Sequence, residues 1–194
     1  MTEGEIALAH RASHDVYLPS PGTGTIRTLR LRPTLRRDSF MPFDHCKECK
    51  KCCHVDVGFP PLEIPLLPVE KKQWKRIEIK TSCRFLSDRG CELGSSKPFA
   101  CFQYPLSFDP NAQRFLFDAD CPLYERYQAQ LKQPGSEARA HLTQVVQHIT
   151  GLGRQGARFV KRNYELDVDY FELLPLEVPA ELMQPLQKGS ADQK

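Results

Sequence analysis

Cys46-x2-Cys49-x2-Cys52-Cys53 gathers four thiols in one short stretch, and Cys83, Cys91, Cys101 and Cys121 complete a set of eight. No cysteine precedes Cys46 or follows Cys121. Disulfides used as general staples would be spread along the chain, so this distribution describes a site. A two-residue gap lets two thiolates reach one metal at about 2.3 Å without straining the backbone. In a reducing compartment, clustered cysteines more often bind metal or do redox chemistry than form stable disulfides. Adjacent cysteines such as Cys52 and Cys53 rarely share a disulfide, which weakens the staple reading further.

Successive steps of this kind exceed what one tetrahedral zinc takes from a single loop. They resemble the ferredoxin run C-x2-C-x2-C-x3-C-P, which wraps a cubane cluster. The run departs from that pattern at its end, where Asp56 stands in the fourth position and Cys53 is the extra thiol. The chain is therefore not a ferredoxin. Two geometries remain open at this point. A helical block would put Cys46, Cys49 and Cys53 on one face with Cys52 turned away. A wrapping loop would converge Cys46, Cys49 and Cys52 and turn Cys53 to a second site. Cys83, Cys91, Cys101 and Cys121 supply the remaining ligands, either for two four-thiolate sites or for one cluster with cysteines to spare. The expected cofactor is an iron–sulfur cluster of the 4Fe-4S type or Zn2+. Lys47, Lys50, Lys51, Arg84, Arg89 and Lys97 interleave the cysteines and would offset the negative charge of a thiolate site. His45 and His54 flank the block as alternative ligands or as donors that orient ligands.

The same residues carry a family resemblance. The Cys46–Cys53 block is followed in order by Cys83-Arg84-Phe85-Leu86, Gly90-Cys91, Lys97-Pro98-Phe99-Ala100-Cys101-Phe102-Gln103-Tyr104-Pro105 and Asp120-Cys121. This order resembles the YkgJ-type CxxCxxCC family over about residues 43–125. The resemblance implies zinc or iron chelation, often as an iron–sulfur protein. A flagellin lysine methylase shares the same cysteine block, so a cluster-dependent, transferase-like enzyme is the alternative reading. Lys97 departs from the Arg usual in that family before the proline, keeping the charge but losing the planar fork. In the Lys97–Pro105 segment, Pro98 and Pro105 are expected to fix the chain around Cys101, with Tyr104 packed beside the site.

The rest of the chain predicts an α+β fold: a small cysteine-rich metal-binding core of short strands and hairpins, packed with C-terminal helices. Residues 1–40 read as an arm, 41–130 as the metal-binding domain, and 131–194 as a helical extension with a polar tail from 184. In the arm, Ile26–Arg32 alternates as a strand, and Arg27, Arg30, Arg32, Arg36 and Arg37 form a solvated basic face. Four prolines over 60–68 make a stiff connector. Val69–Arg76 is a short helix with Trp74 inward, and Ile77–Lys80 a strand. Cys83–Leu86 and Cys91–Leu93 are two strands about a Gly90 turn, which would bring Cys83 towards Cys91. Arg114–Asp118 is a further strand. Pro122 opens a helix, and Ser136 caps a longer one on which Leu142, Val145, Val146, Ile149 and Leu152 share a face.

A net charge of +3 and no nucleic-acid motif argue against nucleic acid, and no apolar run of about 18 residues argues against a membrane span. The first ten residues do not read as a secretory signal, so the expected compartment is the cytoplasm. No Gly-rich nucleotide loop, Ser/His/Asp set or general base is assignable, which leaves catalysis open and a protein partner possible in principle. The acidic run Glu165, Asp167, Asp169 and Glu172 reads as a solvated segment. His10, His14, His141 and His148 read as surface or packing residues, and replacing His141 is expected to change neither metal content nor stability. Replacing Cys49 or Cys52 is expected to lower both together.

Overall fold

The prolines and glycines around the cysteine block decide where regular structure can start, and they leave room only for short elements there. The computed structural model describes residues 42–191; the arginine-rich arm and its expected strand lie outside them. The first cysteines lie on a turn, and Lys50, in the left-handed conformation at φ 56°, leads into a single 3-10 turn, Lys51–Cys53. The connector then gives β1 (Leu62–Glu63), α1 (Pro68–Trp74) and β2 (Glu78–Ile79). β1 pairs antiparallel with β2, Leu62 opposite Ile79. Pro68 suits the first helical position because its missing N–H would have no helical partner. Glu70 accepts from the Leu67 and Phe99 amides, each at 2.7 Å, and so fastens α1 to the chain that carries Cys101.

β3 (Leu86–Ser87) and β4 (Gly90–Cys91) form the expected hairpin with strands of two residues each, the first ending one residue later and the second starting one residue earlier than the sequence suggests, with Leu86 opposite Cys91. Gly90 has φ 98°, and a Cβ there would lie 3.0 Å from the Lys47 nitrogen and 3.2 Å from the Cys46 carbonyl carbon. The hairpin therefore rests directly on the backbone of the cysteine block, an approach only glycine permits. Beyond it come α2 (Phe99–Gln103), β5 (Leu106–Asp109) and β6 (Arg114–Asp118). The helices α3 (Tyr124–Leu131), α4 (Glu137–Gly151) and α5 (Gly153–Tyr170) follow, then β7 (Leu173–Pro175) and α6 (Ala180–Ala191). β5, β6 and β7 make one antiparallel sheet in that order.

The fold is thus α+β, with short antiparallel sheets and helices. Ser136 caps α4, its hydroxyl accepting from the Arg139 amide. Leu142, Val145 and Val146 then face Phe115 and Phe117 of the sheet and Phe99 and Phe102 of α2. Each such side chain, fully buried, contributes about 1.5–3 kcal/mol. This core is apolar and aromatic, and Cys121 alone of the cysteines is buried in it. A second apolar cluster, Leu62, Ile64, Leu66, Ile77 and Ile79, packs against Cys83 and Cys101.

Three expectations are corrected. Residues 184–191 continue α6 rather than fraying. Asp167 is not solvated: its carboxylate accepts from the Ser107 hydroxyl at 2.7 Å and from Asn163 at 3.1 Å. His141 packs inside as expected, but it is held there by hydrogen bonds, so it is not neutral to stability. Its Nε2–H donates to the Phe102 carbonyl at 2.9 Å, which leaves Nδ1 to accept from the Tyr127 hydroxyl at 3.0 Å. Burial lowers its pKa to about 4.

His141→Ala should therefore destabilise the fold by roughly 2–4 kcal/mol in a urea melt, since it leaves a cavity and removes the donor to the buried Phe102 carbonyl, while the Tyr127 hydroxyl keeps the Ala138 carbonyl as acceptor. In the native chain, the unfolded state takes up the His141 proton first, so stability should fall as pH drops from about 6.5 towards 4. The variant should lose that contribution to the pH dependence while keeping its metal content.

Candidate functional site

Short x2 gaps, a left-handed residue at Lys50 and the 3-10 turn send neighbouring thiols in different directions. Cys46, Cys52, Cys53, Cys83, Cys91 and Cys101 line one cavity of about 70 Å³. Cys49 and Cys121 line a second, of about 40 Å³, with Cys46 and Cys52 on its wall. Cys46, Cys49 and Cys52 thus border one space, and Cys53 borders only the other. The helical alternative does not occur. All eight cysteines are free thiols, seven of them half-buried.

Backbone pairing aligns part of the larger set. The Cys83 amide donates to the Cys53 carbonyl at 2.7 Å, beside a bridge between His54 and Ser82. The sulfurs are linked in turn. Cys52 hydrogen-bonds both Cys46 and Cys53, and Cys83 hydrogen-bonds Cys53. Donation from Cys52 and Cys83 lowers the Cys53 pKa to about 3, and donation from Cys52 lowers that of Cys46. The donors Cys52 and Cys83 are raised in return, chiefly by those same bonds. Along this row the thiolate form is favoured at Cys46 and Cys53 and the thiol form at Cys52 and Cys83. Burial raises Cys91 and Cys101, and it raises Cys121 to about 11.

Lys97 supplies the opposing charge. Its side chain is only 3% exposed, and its ammonium donates to the Cys46 sulfur at 3.1 Å and to Asp44 at 3.0 Å. Burial alone would lower the Lys97 pKa, but the Cys46 and Asp44 charges outweigh it and hold the pKa above the ordinary lysine value. Of the other basic residues expected to balance the thiolates, Lys50 donates to the Asp88 carbonyl and Lys51 pairs with Asp120. Arg84 lies over the Phe85 ring. Lys97 is thus the cation in contact with thiol sulfur.

The donor set fits a thiophilic metal: all sulfur, part already anionic, with a buried cation alongside. Thiolates are the metal-binding form, so binding a metal would release thiol protons. Among the described residues, no three His, Cys, Asp or Glu side chains converge to hold a metal ion as they stand. The thiols instead bond to one another in a row.

Sequence reasoning missed the inner end of the larger cavity. Ser107, Asp118, Asn163 and Asp167 line it together with Tyr104. The Tyr104 hydroxyl donates to Asp118 at 2.6 Å, and Tyr104 also lines the smaller cavity, beside the site as expected. The available signal was helical spacing: Asn163, Leu166, Asp167 and Tyr170 fall at i, i+3, i+4 and i+7 on α5. Burial raises the Asp167 pKa to about 7, the Ser107 hydroxyl opposes that rise, and the nearby Asp118 adds to it. His54 is exposed and lines neither cavity, whereas His45 lines the smaller one.

No family model, curated protein or solved structure matches this chain. Nor is any helix among the described residues long and apolar enough to cross a membrane.

Because folded Asp167 keeps its proton up to about pH 7 while the unfolded chain ionises near 3.8, its burial costs stability increasingly as pH rises between those values. Asp167→Asn should accordingly raise the melting temperature at pH 8 and leave it nearly unchanged at pH 4. Equal effects at both pH values would show that Asp167 is ionised in the fold.

Proposed function

We propose that this chain is a metal-binding protein whose cysteine thiolates hold an iron–sulfur cluster of the 4Fe-4S type or zinc. The observation that carries the reading is a single cavity lined by six cysteines and the buried Lys97 ammonium. A cation that well buried needs anionic partners, and a metal with four thiolates carries the negative charge that Lys97 would balance. The order of the cysteine motifs, similar to that of the YkgJ-type CxxCxxCC family, points the same way. Free rather than bridged thiols suit a reducing compartment, which supports a cytoplasmic setting. The centre would then serve a structural, redox or regulatory role through a protein partner.

One observation favours a second reading, a cluster-dependent enzyme. Apolar side chains such as Leu62, Ile79 and Phe171, and the polar group around Asp118 and Asp167, line the same cavity as the thiols. Apolar walls with a few polar groups among them are the ordinary make-up of a small-molecule site. A transferase-like activity would place its substrate there.

The test is anaerobic purification of the full chain, then absorption spectroscopy and iron, sulfide and zinc analysis on one sample. Iron and sulfide in similar amounts, with a broad visible absorption, would establish a cluster; zinc alone would make the centre structural. Cys101→Ser and Cys53→Ser should each lose metal and melt at lower temperature. Metal-free native protein, or variants with full metal content and unchanged melting, would overturn the reading.

A further inference from the structure

The eight cysteines do not share one space, and the smaller cavity holds a feature the larger lacks. His45 lines it beside Cys49, Cys52 and Cys121. The His45 side chain is 12% exposed, and its Nε2 is buried without a hydrogen-bond partner. Its Nδ1 lies 3.3 Å from a Glu48 carboxylate oxygen, which can only accept, so Nδ1 carries the hydrogen. In the neutral ring that assignment leaves the Nε2 lone pair free. A carboxylate that fixes one ring nitrogen while the other stays open is the usual setting of a metal-bound histidine. The Glu137 carboxylate, 3.8 Å from Nε2, lies beyond hydrogen-bonding distance.

Resting on the thiolate–metal reading, we infer that the chain holds two centres, and that the second is a single-ion site of Cys49, Cys52, Cys121 and His45. Three sulfurs and one imidazole nitrogen form one of the standard tetrahedral zinc sets. Cys49-x2-Cys52 supplies the short ligand spacing, and Cys121, at the entry to α3, supplies the third sulfur from a distant part of the chain. Cys46 and Cys52 border both cavities: Lys97, which lines only the larger one, holds the Cys46 sulfur, whereas the x2 step from Cys49 assigns Cys52 to the smaller. Cys46 therefore belongs with Cys53, Cys83, Cys91 and Cys101. That set is all sulfur, as clusters and four-thiolate zinc sites require. The cavities meet along Cys46, Cys52, Tyr104 and Pro105, so the two centres would be neighbours across one wall.

The experiment takes full-length protein, purified anaerobically and stripped with a chelator, and titrates it with Co2+ while following thiolate-to-cobalt absorption and bound metal. The native chain should bind in two resolvable steps. His45→Gln and Cys49→Ser should remove one step and keep the other, whereas Cys83→Ser and Cys101→Ser should do the reverse. His45→Gln should also shift the absorption of the affected step, which a purely structural histidine would not do. Circular dichroism of each variant confirms that it is folded, and His45→Gln and Cys49→Ser spare the buried Cys121. All variants losing metal in parallel would reduce the system to one centre and overturn the inference. An unchanged His45→Gln titration would make His45 a packing residue and would likewise overturn it. No cobalt binding by the native chain would defeat the metal reading itself.

Discussion

An ammonium group with almost no solvent exposure needs charged partners, and Lys97 organises the thiol region by finding two. It reaches Asp44, just ahead of the cysteine block, and the sulfur of Cys46, the block's first cysteine. Pro98 follows directly and leads into α2, which carries Cys101. One buried charge thus joins the cysteine block to the helix that brings a distant thiol to the same cavity. Removing a single partner of such a group leaves an uncompensated charge inside, which typically costs 3–5 kcal/mol. The lowered pKa of Cys46 comes first from its hydrogen bond with Cys52 and then in part from this cation, and Cys52 lowers Cys53 in the same way.

Around that pair the scaffold is built by close approach rather than by a large sheet. Gly90 lets the β3–β4 hairpin settle on the Cys46–Lys47 backbone, which sets Cys91 beside the block. Glu70 closes two backbone amides and so fastens α1 to the start of α2. The aromatic core under α4 and the sheet supplies the stability these irregular segments cannot supply themselves. Metal would then be added to a folded frame, in contrast with small zinc domains that fold only around the ion.

Much of this was legible in the residues. Arg114–Asp118, the Ser136 cap and the apolar face of α4 follow from alternation, capping chemistry and helical spacing, and they stand where the sequence puts them. The hairpin at Gly90 is equally readable, although its strands are shorter, with the Cys83 amide bonded to the Cys53 carbonyl instead of joining the hairpin. β5 is legible only as the brief alternation Leu106-Ser107-Phe108-Asp109 before the Asp109-Pro110-Asn111 turn, too short to separate from a loop, and β7, three residues long, carries no local signal apart from the sheet it joins. Charged neighbours Glu165 and Asp169 make Asp167 look solvent-facing in the sequence, yet α5 turns it inward with Asn163. His141 was read as neutral because its two partners, Tyr127 and Phe102, are fixed only by tertiary packing. The division of the thiols between two cavities was open in the sequence, since x2 spacing is compatible with either a helix or a wrapping loop.

The central claim is that thiolate sulfur in the cavity beside Lys97 is what holds the metal. X-ray absorption at the iron or zinc edge of the anaerobically purified chain tests it most directly. The account predicts a first shell dominated by sulfur at about 2.3 Å. A shell of oxygen and nitrogen near 2.0–2.1 Å with no sulfur would contradict it, because the metal would then lie away from these cysteines.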